Sequence, residues 1–261
     1  EREGMAEHLI KACLSAVAMS SRIPMPRTEW QEEDMRYVMC FFPLIGLAIG
    51  LVLCGWVWLA GRLQIGAALF SGVATALPVL ITGGIHLDGF CDTLDALSSR
   101  QPQERKLEIL KDSNSGAFAV IGCGLYFLLT FCFWMEWYPQ GRYTWMLALG
   151  FVLSRTLSGL SVVRFPCAKN SGLLAMFSHA AAKKRTAWVL VGYFLLCGGA
   201  MLLFGTFVGA VALLLALGVF GYYYHVSCKE FGGTTGDVAG WFLQLCELAL
   251  LAGMVLLQKW I

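Results

Sequence analysis

Charge is what this chain has least of. Only 14% of its 261 residues are Asp, Glu, Lys or Arg, against 58% hydrophobic ones, and the mean hydropathy is +0.67. That balance excludes an ordinary soluble domain. No Cys/His spacing suits zinc, since the four histidines are scattered. The ten cysteines lie mostly in apolar runs without paired spacing, so they read as small buried hydrophobes and not as a disulfide framework. A net charge of +2 gives no footprint for nucleic acid, because membrane topology already accounts for the basic residues.

What the chain does have is apolar runs of membrane length from end to end. Spans are expected near residues 37–60, 63–83, 116–137, 143–162, 187–204, 207–226 and 237–258. Residues 187–226 contain no charged side chain. As one helix they would reach about 60 Å, twice a bilayer core, so they must turn back once, at Gly205-Thr206. The expectation is an all-α polytopic membrane bundle: one domain, 1–261, of about seven transmembrane helices.

Before the first span, Leu9, Ile10, Cys13, Leu14 and Val17 form an apolar stripe, with Glu7, Lys11 and Ser15 off it. This reads as a helix lying in the interface (or an eighth span) within an N-terminal segment 1–36. Ile23-Pro24-Met25-Pro26 stops it. It lacks the small-residue cleavage site of a signal peptide.

Lys and Arg set the orientation. The N-terminal segment holds five, the 84–115 loop four, the 163–186 loop five and the 227–236 loop one, against Arg62, Arg142 and Lys259 on the other side. The basic side is expected to face the cytoplasm of a bacterial inner membrane.

Polar chemistry collects on that same side. In Gly84-Ile85-His86-Leu87-Asp88-Gly89-Phe90-Cys91-Asp92-Thr93-Leu94-Asp95, three carboxylates stand at i, i+4 and i+7. At about 100° per helical residue they share roughly a 60° arc of one face, where like charges repel. Desolvation beside lipid raises that cost, and a divalent cation such as Mg²⁺ removes it. His86 is either a general base beside this cluster or a hydrogen-bonded structural histidine. Residues 103–111 suit a short amphipathic helix with Leu107, Ile109 and Leu110 inward, followed by Lys111, Asp112 and Ser113. Asp112 is either an N-cap or a fourth acidic ligand. Gly232-Gly233-Thr234-Thr235-Gly236-Asp237 precedes the last span and could offer backbone N–H groups to a phosphate, although it lacks the Gly-Lys-Ser/Thr ending of a P-loop. Arg164, Lys169 and Asn170 add cations and an amide.

In combination these segments resemble cobalamin synthase, the membrane family also called adenosylcobinamide-GDP ribazoletransferase. The family's His-x-Asp-Gly-x-x-Asp-x-x-Asp stands here as His86, Asp88, Gly89, Asp92 and Asp95. Its other elements follow in order at Arg22–Pro26, Phe42–Gly46, Lys111–Gly116 and Gly232–Asp237. Two departures are visible: Pro166-Cys167-Ala168-Lys169 replaces Pro-Tyr-Ala-Arg, trading a bidentate cation for a point charge, and Asn114 stands where the family has Arg. The resemblance implies nucleotide-loop assembly of vitamin B12. Adenosylcobinamide-GDP and α-ribazole, or its 5′-phosphate, would give adenosylcobalamin, or its phosphate, and GMP. Asp88, Asp92 and Asp95 would hold Mg²⁺. Asp95, Asp112 or His86 would take the hydroxyl proton. Lys111, Ser113, Arg164, Lys169, Asn170, Gly232, Gly233, Thr235 and Asp237 would bind substrate. The implied partners are these small molecules and the lipid bilayer, with no nucleic acid; a homo-oligomer stays open.

The residues alone leave other readings standing: a CDP-alcohol phosphotransferase-like or prenyltransferase-like membrane enzyme, or a transporter. The last is raised by Arg155 and Glu247, two charges inside spans. Both lie near mid-depth, about twelve and ten residues from their span ends, which predicts that they pair.

Overall fold

The computed structural model describes residues 2–25, 34–112, 114–138, 141–168 and 173–260. These form eleven helices and a single 3₁₀ turn, with no strands among the described residues. The helices are α1 (Arg2–Ser20), α2 (Val38–Arg62), α3 (Ala67–Thr82), α4 (Ile85–Ser98), α5 (Gln103–Ile109), α6 (Ala117–Met135), α7 (Gly141–Arg164), α8 (Leu173–Ala180), α9 (Lys183–Gly205), α10 (Phe207–Phe231) and α11 (Gly236–Trp260). Six described helices are long and apolar enough to cross a membrane, up to seven if the bent pair α3 and α4 is one span. The all-α polytopic bundle expected from the sequence is what forms. The turn expected at Gly205-Thr206 is there: α9 ends at Gly205, Thr206 takes a left-handed φ of 51°, and α10 starts at Phe207.

The bundle is built around α7. Its residues are buried on nearly every side, including Ser154, Arg155, Thr156 and Ser158, which marks an interior helix and not an amphipathic one. Because α7 is enclosed along most of its length, its closest neighbour approaches it through small residues. A Cβ on Gly46 of α2 would collide with Phe151 O, and one on Gly50 would stand 2.8 Å from Ala148 O. This four-residue glycine spacing draws two backbones together where lipid gives no hydrophobic push. The outer helices carry the lipid-facing residues, such as Phe118, Ile121 and Leu128 on α6 and Leu195, Leu196 and Leu203 on α9.

The N-terminal helix is as long as expected, and α1 packs against α2 and the 3₁₀ turn. Its inward face is Ala12, Ser15 and Ala16, whereas Leu9 and Ile10 are exposed. Of the expected stripe, Leu9 and Ile10 thus point out of the bundle, whereas Cys13, Leu14 and Val17 are half-buried. Arg22, just after it, donates its backbone N–H to Ile81 O at 2.7 Å, fastening the segment to the end of α3. The opposite end of the bundle is closed by the Glu136–Lys259 ion pair and by Gln258 Nε2 donating to Tyr138 O at 2.6 Å.

Candidate active site

A corner made by two glycines positions the site. Gly83 and Gly84 both adopt left-handed φ, 67° and 81°, a conformation that costs a residue with Cβ on the order of 1–2 kcal/mol. They turn the chain by 95° between α3 and α4. Helix α4 therefore leaves the line of α3 at nearly a right angle. It lies on the first turns of α11, at two points where only glycine fits. A Cβ on Gly89 would sit 2.8 Å from Asp237 Cα, and one on Gly240 would sit 2.8 Å from His86 O. The Asp-bearing helix and the N-terminus of the last span are thereby pressed together.

The three aspartates of α4 have three environments. Asp88 is exposed and Asp92 half-buried. Burial pushes the Asp92 carboxyl up to about 6, with further contributions from Asp88, Asp237, Asp95 and Asp112. Asp95 is engaged elsewhere: Gly116 N donates to its Oδ2, and Ala119 N donates to its Oδ1 at 2.8 Å. It therefore caps the N-terminus of α6, whose own N-cap residue, Gly116, has no side chain to do so. Asp112, the residue expected either to cap or to ligate, does not cap α6. Its Oδ1 accepts from Asn114 N at 2.9 Å and from Asn114 Nδ2 at 3.0 Å, an Asx turn whose backbone bond holds the carboxyl below its ordinary value. Asn114, one of the two departures, adds its side-chain bond to a turn whose backbone bond any non-proline residue there could make.

His86 is buried, with its ring edge-on to Phe42 at 5.9 Å. Burial, with Arg155 behind it, pushes its pKa down to about 3, so the ring is neutral. Its Nε2 is buried without a hydrogen-bond partner among the described residues. Among the described residues no three His, Cys, Asp or Glu side chains form a ready-made metal cage. None of the ten cysteines is in a disulfide among the described residues.

The glycine-rich segment is a strut. Gly233 N donates to Ser227 O at 2.9 Å, Thr234 N to Pro166 O at 2.8 Å, and Ala168 N to Thr234 O at 3.0 Å. The Gly233 and Thr234 N–H groups are thus spent within the protein and are not available to a phosphate. Tyr223 OH bonds both Ser161 Oγ and Thr234 Oγ1, fixing the strut to α7 and α10. Thr235, not Asp237, caps α11: its Oγ1 accepts from Val238 N at 3.2 Å. Asp237 is left beside Asp88 and Asp92. Lys106 was not singled out in the sequence; it is buried and ion-paired with Glu230, tying α5 to α10. A cation one turn ahead of the inward Leu110 was the signal for it.

A cavity of about 390 Å³ opens beside these groups. Of the expected site residues, His86, Asp88, Lys111, Thr235 and Asp237 line it, together with Thr234. Arg164 ends α7 exposed and, like Gly232 and Gly233, is not part of its wall. Ser113, Lys169 and Asn170 lie outside the described residues.

Comparison with known proteins gives the family. Residues 12–255 match the family described as cobalamin-5-phosphate synthase. The chain belongs to that family. Several relatives carry the name adenosylcobinamide-GDP ribazoletransferase. One from Lachnoclostridium phytofermentans is 47% identical over 89% of this chain and 88% of its own length. One from Pseudomonas entomophila is 37% identical, covering 86% and 90%, and one from Clostridium botulinum (strain Alaska E43) is 34% identical, covering 93% and 96%. No solved structure matches the chain. Membership of the cobalamin-5-phosphate synthase family makes this chain a transferase of cobalamin biosynthesis, built as a multi-pass membrane protein.

Proposed function

We propose that the chain joins adenosylcobinamide-GDP to α-ribazole, or to its 5′-phosphate, with release of GMP. The observation that carries this reading is the meeting of Asp88 and Asp237 at the mouth of a cavity, with Asp92 near enough to feel both charges. In the reaction a ribazole hydroxyl oxygen attacks the phosphorus that bears the cobinamide. The phosphoanhydride bond breaks, a phosphodiester forms, and GMP carries away the electron pair. Such a displacement needs positioning and charge neutralisation more than a covalent nucleophile.

Mg²⁺ fits the donor set, because it takes one or two carboxylates and completes its shell with water and substrate phosphates instead of a protein cage. Asp88 and Asp237 would hold it, and it would supply neutralisation of the diphosphate charge. Lys111, exposed on the cavity wall, is placed to meet a phosphate oxygen. Asp95 is occupied by α6. Asp92, pushed up to about 6, is then the carboxylate suited to take the hydroxyl proton near neutral pH. The count of basic residues favours a cytoplasmic site in a bacterial inner membrane. The ion pair of Arg155 with Glu247 accounts for the intramembrane charges without a transport path. The test is purified protein with adenosylcobinamide-GDP, α-ribazole and graded Mg²⁺. GMP release in step with product formation supports the reading, and corrinoid-GDP left intact at all Mg²⁺ concentrations refutes it.

A further inference from the structure

The cavity has two chemically distinct zones. Its mouth is polar, with Asp88 and Lys111 exposed and Asp237 half-buried. Its interior is apolar and sealed, with Met39, Phe42, Val162, Leu174, Phe177 and Leu243 all buried. Five separate elements, α2, α7, α8, α11 and the end of α1, supply this interior, so it is a built compartment and not a gap between two helices. Besides hydroxyl groups and the Cys167 thiol, the donor or acceptor side chain bordering the interior is His86, whose Nε2 has no hydrogen-bond partner among the described residues. A volume of about 390 Å³ is at the small end of the range that encloses a ligand.

Size and polarity select one part of the proposed substrates. A corrin macrocycle with its side chains is several times too large. Guanine fits by volume, but its Watson–Crick edge carries two donors and an acceptor. In this interior the His86 imidazole could pair with one of them at most, and leaving the others unpaired carries a cost that apolar contact does not offset. The dimethylbenzimidazole of ribazole is flat and apolar, with one ring nitrogen as its polar atom. Resting on the reaction proposed above, we infer that this interior is the acceptor subsite, holding the aromatic base of ribazole with its ribose turned to the acidic mouth. That orientation brings the ribose hydroxyls to Asp88 and Asp237, while the corrinoid stays outside the cavity. Leu243, one to two turns below Asp237 on α11, and Val162, facing it from α7, then set how large a base is accepted.

Altering the wall tests this in opposite directions. Leu243→Phe shrinks the compartment and Val162→Ala widens it. With kcat/KM measured for dimethylbenzimidazole riboside and unmethylated benzimidazole riboside, Leu243→Phe should shift the ratio about tenfold toward the smaller base, a typical effect of methyl-sized changes in a hydrophobic pocket. Val162→Ala should shift the ratio the other way, and the KM for adenosylcobinamide-GDP should stay put in both. If either folded variant lowers both bases in equal proportion, or moves the KM for the corrinoid instead, the inference is overturned. Calorimetric binding of the two ribosides to wild type and Val162→Ala reads the same preference without turnover. A preference shift there, with no GMP release by wild type, would keep the subsite and sink the reaction. No riboside binding alongside normal GMP release would do the reverse.

Discussion

Removing one partner of the Arg155–Glu247 pair should damage the protein far more than removing both. Arg155 is fully buried and Glu247 is 9% exposed, and the guanidinium reaches from α7 to the carboxylate on α11. The cation is otherwise thinly supported. It donates to Ser154 Oγ at 3.1 Å and lies 5.6 Å from the Phe151 ring centre, while its Nε and Nη2 find no partner among the described residues. Breaking a buried pair on one side costs about 3–5 kcal/mol, because it strands a charge. At roughly 2–4 °C per kcal/mol for a chain of this length, Glu247→Leu or Arg155→Met should lower Tm by on the order of 10 °C. The double variant Arg155→Met with Glu247→Leu strands nothing and should lie within about 1 kcal/mol of wild type. The charge swap Arg155→Glu with Glu247→Arg should recover part of what either single swap loses. The assay is thermal denaturation in detergent, followed by tryptophan fluorescence, with folded yield alongside. Additive losses in the double variant, or a swap no better than the worse single, would refute coupling between the two charges.

Four further outcomes follow from the site. Asp95→Ala should lower stability by about 1 kcal/mol, the usual cost of a lost helix cap, whereas Asp88→Asn should leave stability unchanged or raised while abolishing GMP release; equal melting of the two would remove Asp95 from its capping role. In metal-free protein the Asp92 carboxyl titrates near 6 instead of 3.8, so its favourable contribution is complete below 3.8 and lost as pH rises through 6. Asp92→Asn should then match wild type near pH 4 and exceed it in Tm above pH 6, a gap that Mg²⁺ narrows; a constant gap across this range would be against it. Lys106→Met should loosen α5 from α10, and the added Glu230→Gln should restore part of the loss, measured by hydrogen exchange of residues 103–110. In a cysteine-stripped background, single cysteines replacing Arg100 and Ala180 should label only from the cytosol and one replacing Gly141 only from outside; external labelling at position 100 would reverse the orientation.

The spans were legible because lipid leaves the chain few choices. A run without charge must be a helix, and forty uncharged residues must fold back, so the break at Gly205-Thr206 follows from length alone. Helix α4 was legible for the same reason: the i, i+4, i+7 spacing of its aspartates has a face only on a helix. The 95° corner before it was hidden. Gly83-Gly84 marks a break, but the direction after a break is set by what the next helix finds to pack on. Here that is Gly240 and the backbone of Asp237 on a helix about 150 residues further along.

The same distinction separates what was read correctly at the site from what was not. Spacing placed Asp88, Asp92 and Asp95 on one face, and that is where the helix carries them. Which of them is free for chemistry depends on neighbours that spacing does not name. Asp95 faces Gly116, an N-cap residue without a side chain, and an α-helix with four unsatisfied N–H groups takes whatever carboxylate is near. Asp237 followed the opposite course. Read alone, an Asp at a helix start is a cap, but Thr235 already holds that bond, which leaves Asp237 beside the α4 carboxylates. The two aspartates have in effect exchanged the roles that local sequence suggests. Repulsion supports the same assignment: Asp95 meets the positive end of α6, whereas Asp88, Asp92 and Asp237 remain close together with their charge uncompensated by α6. Such a cluster is tolerable in a folded protein only where something cationic, or a proton, is expected to arrive.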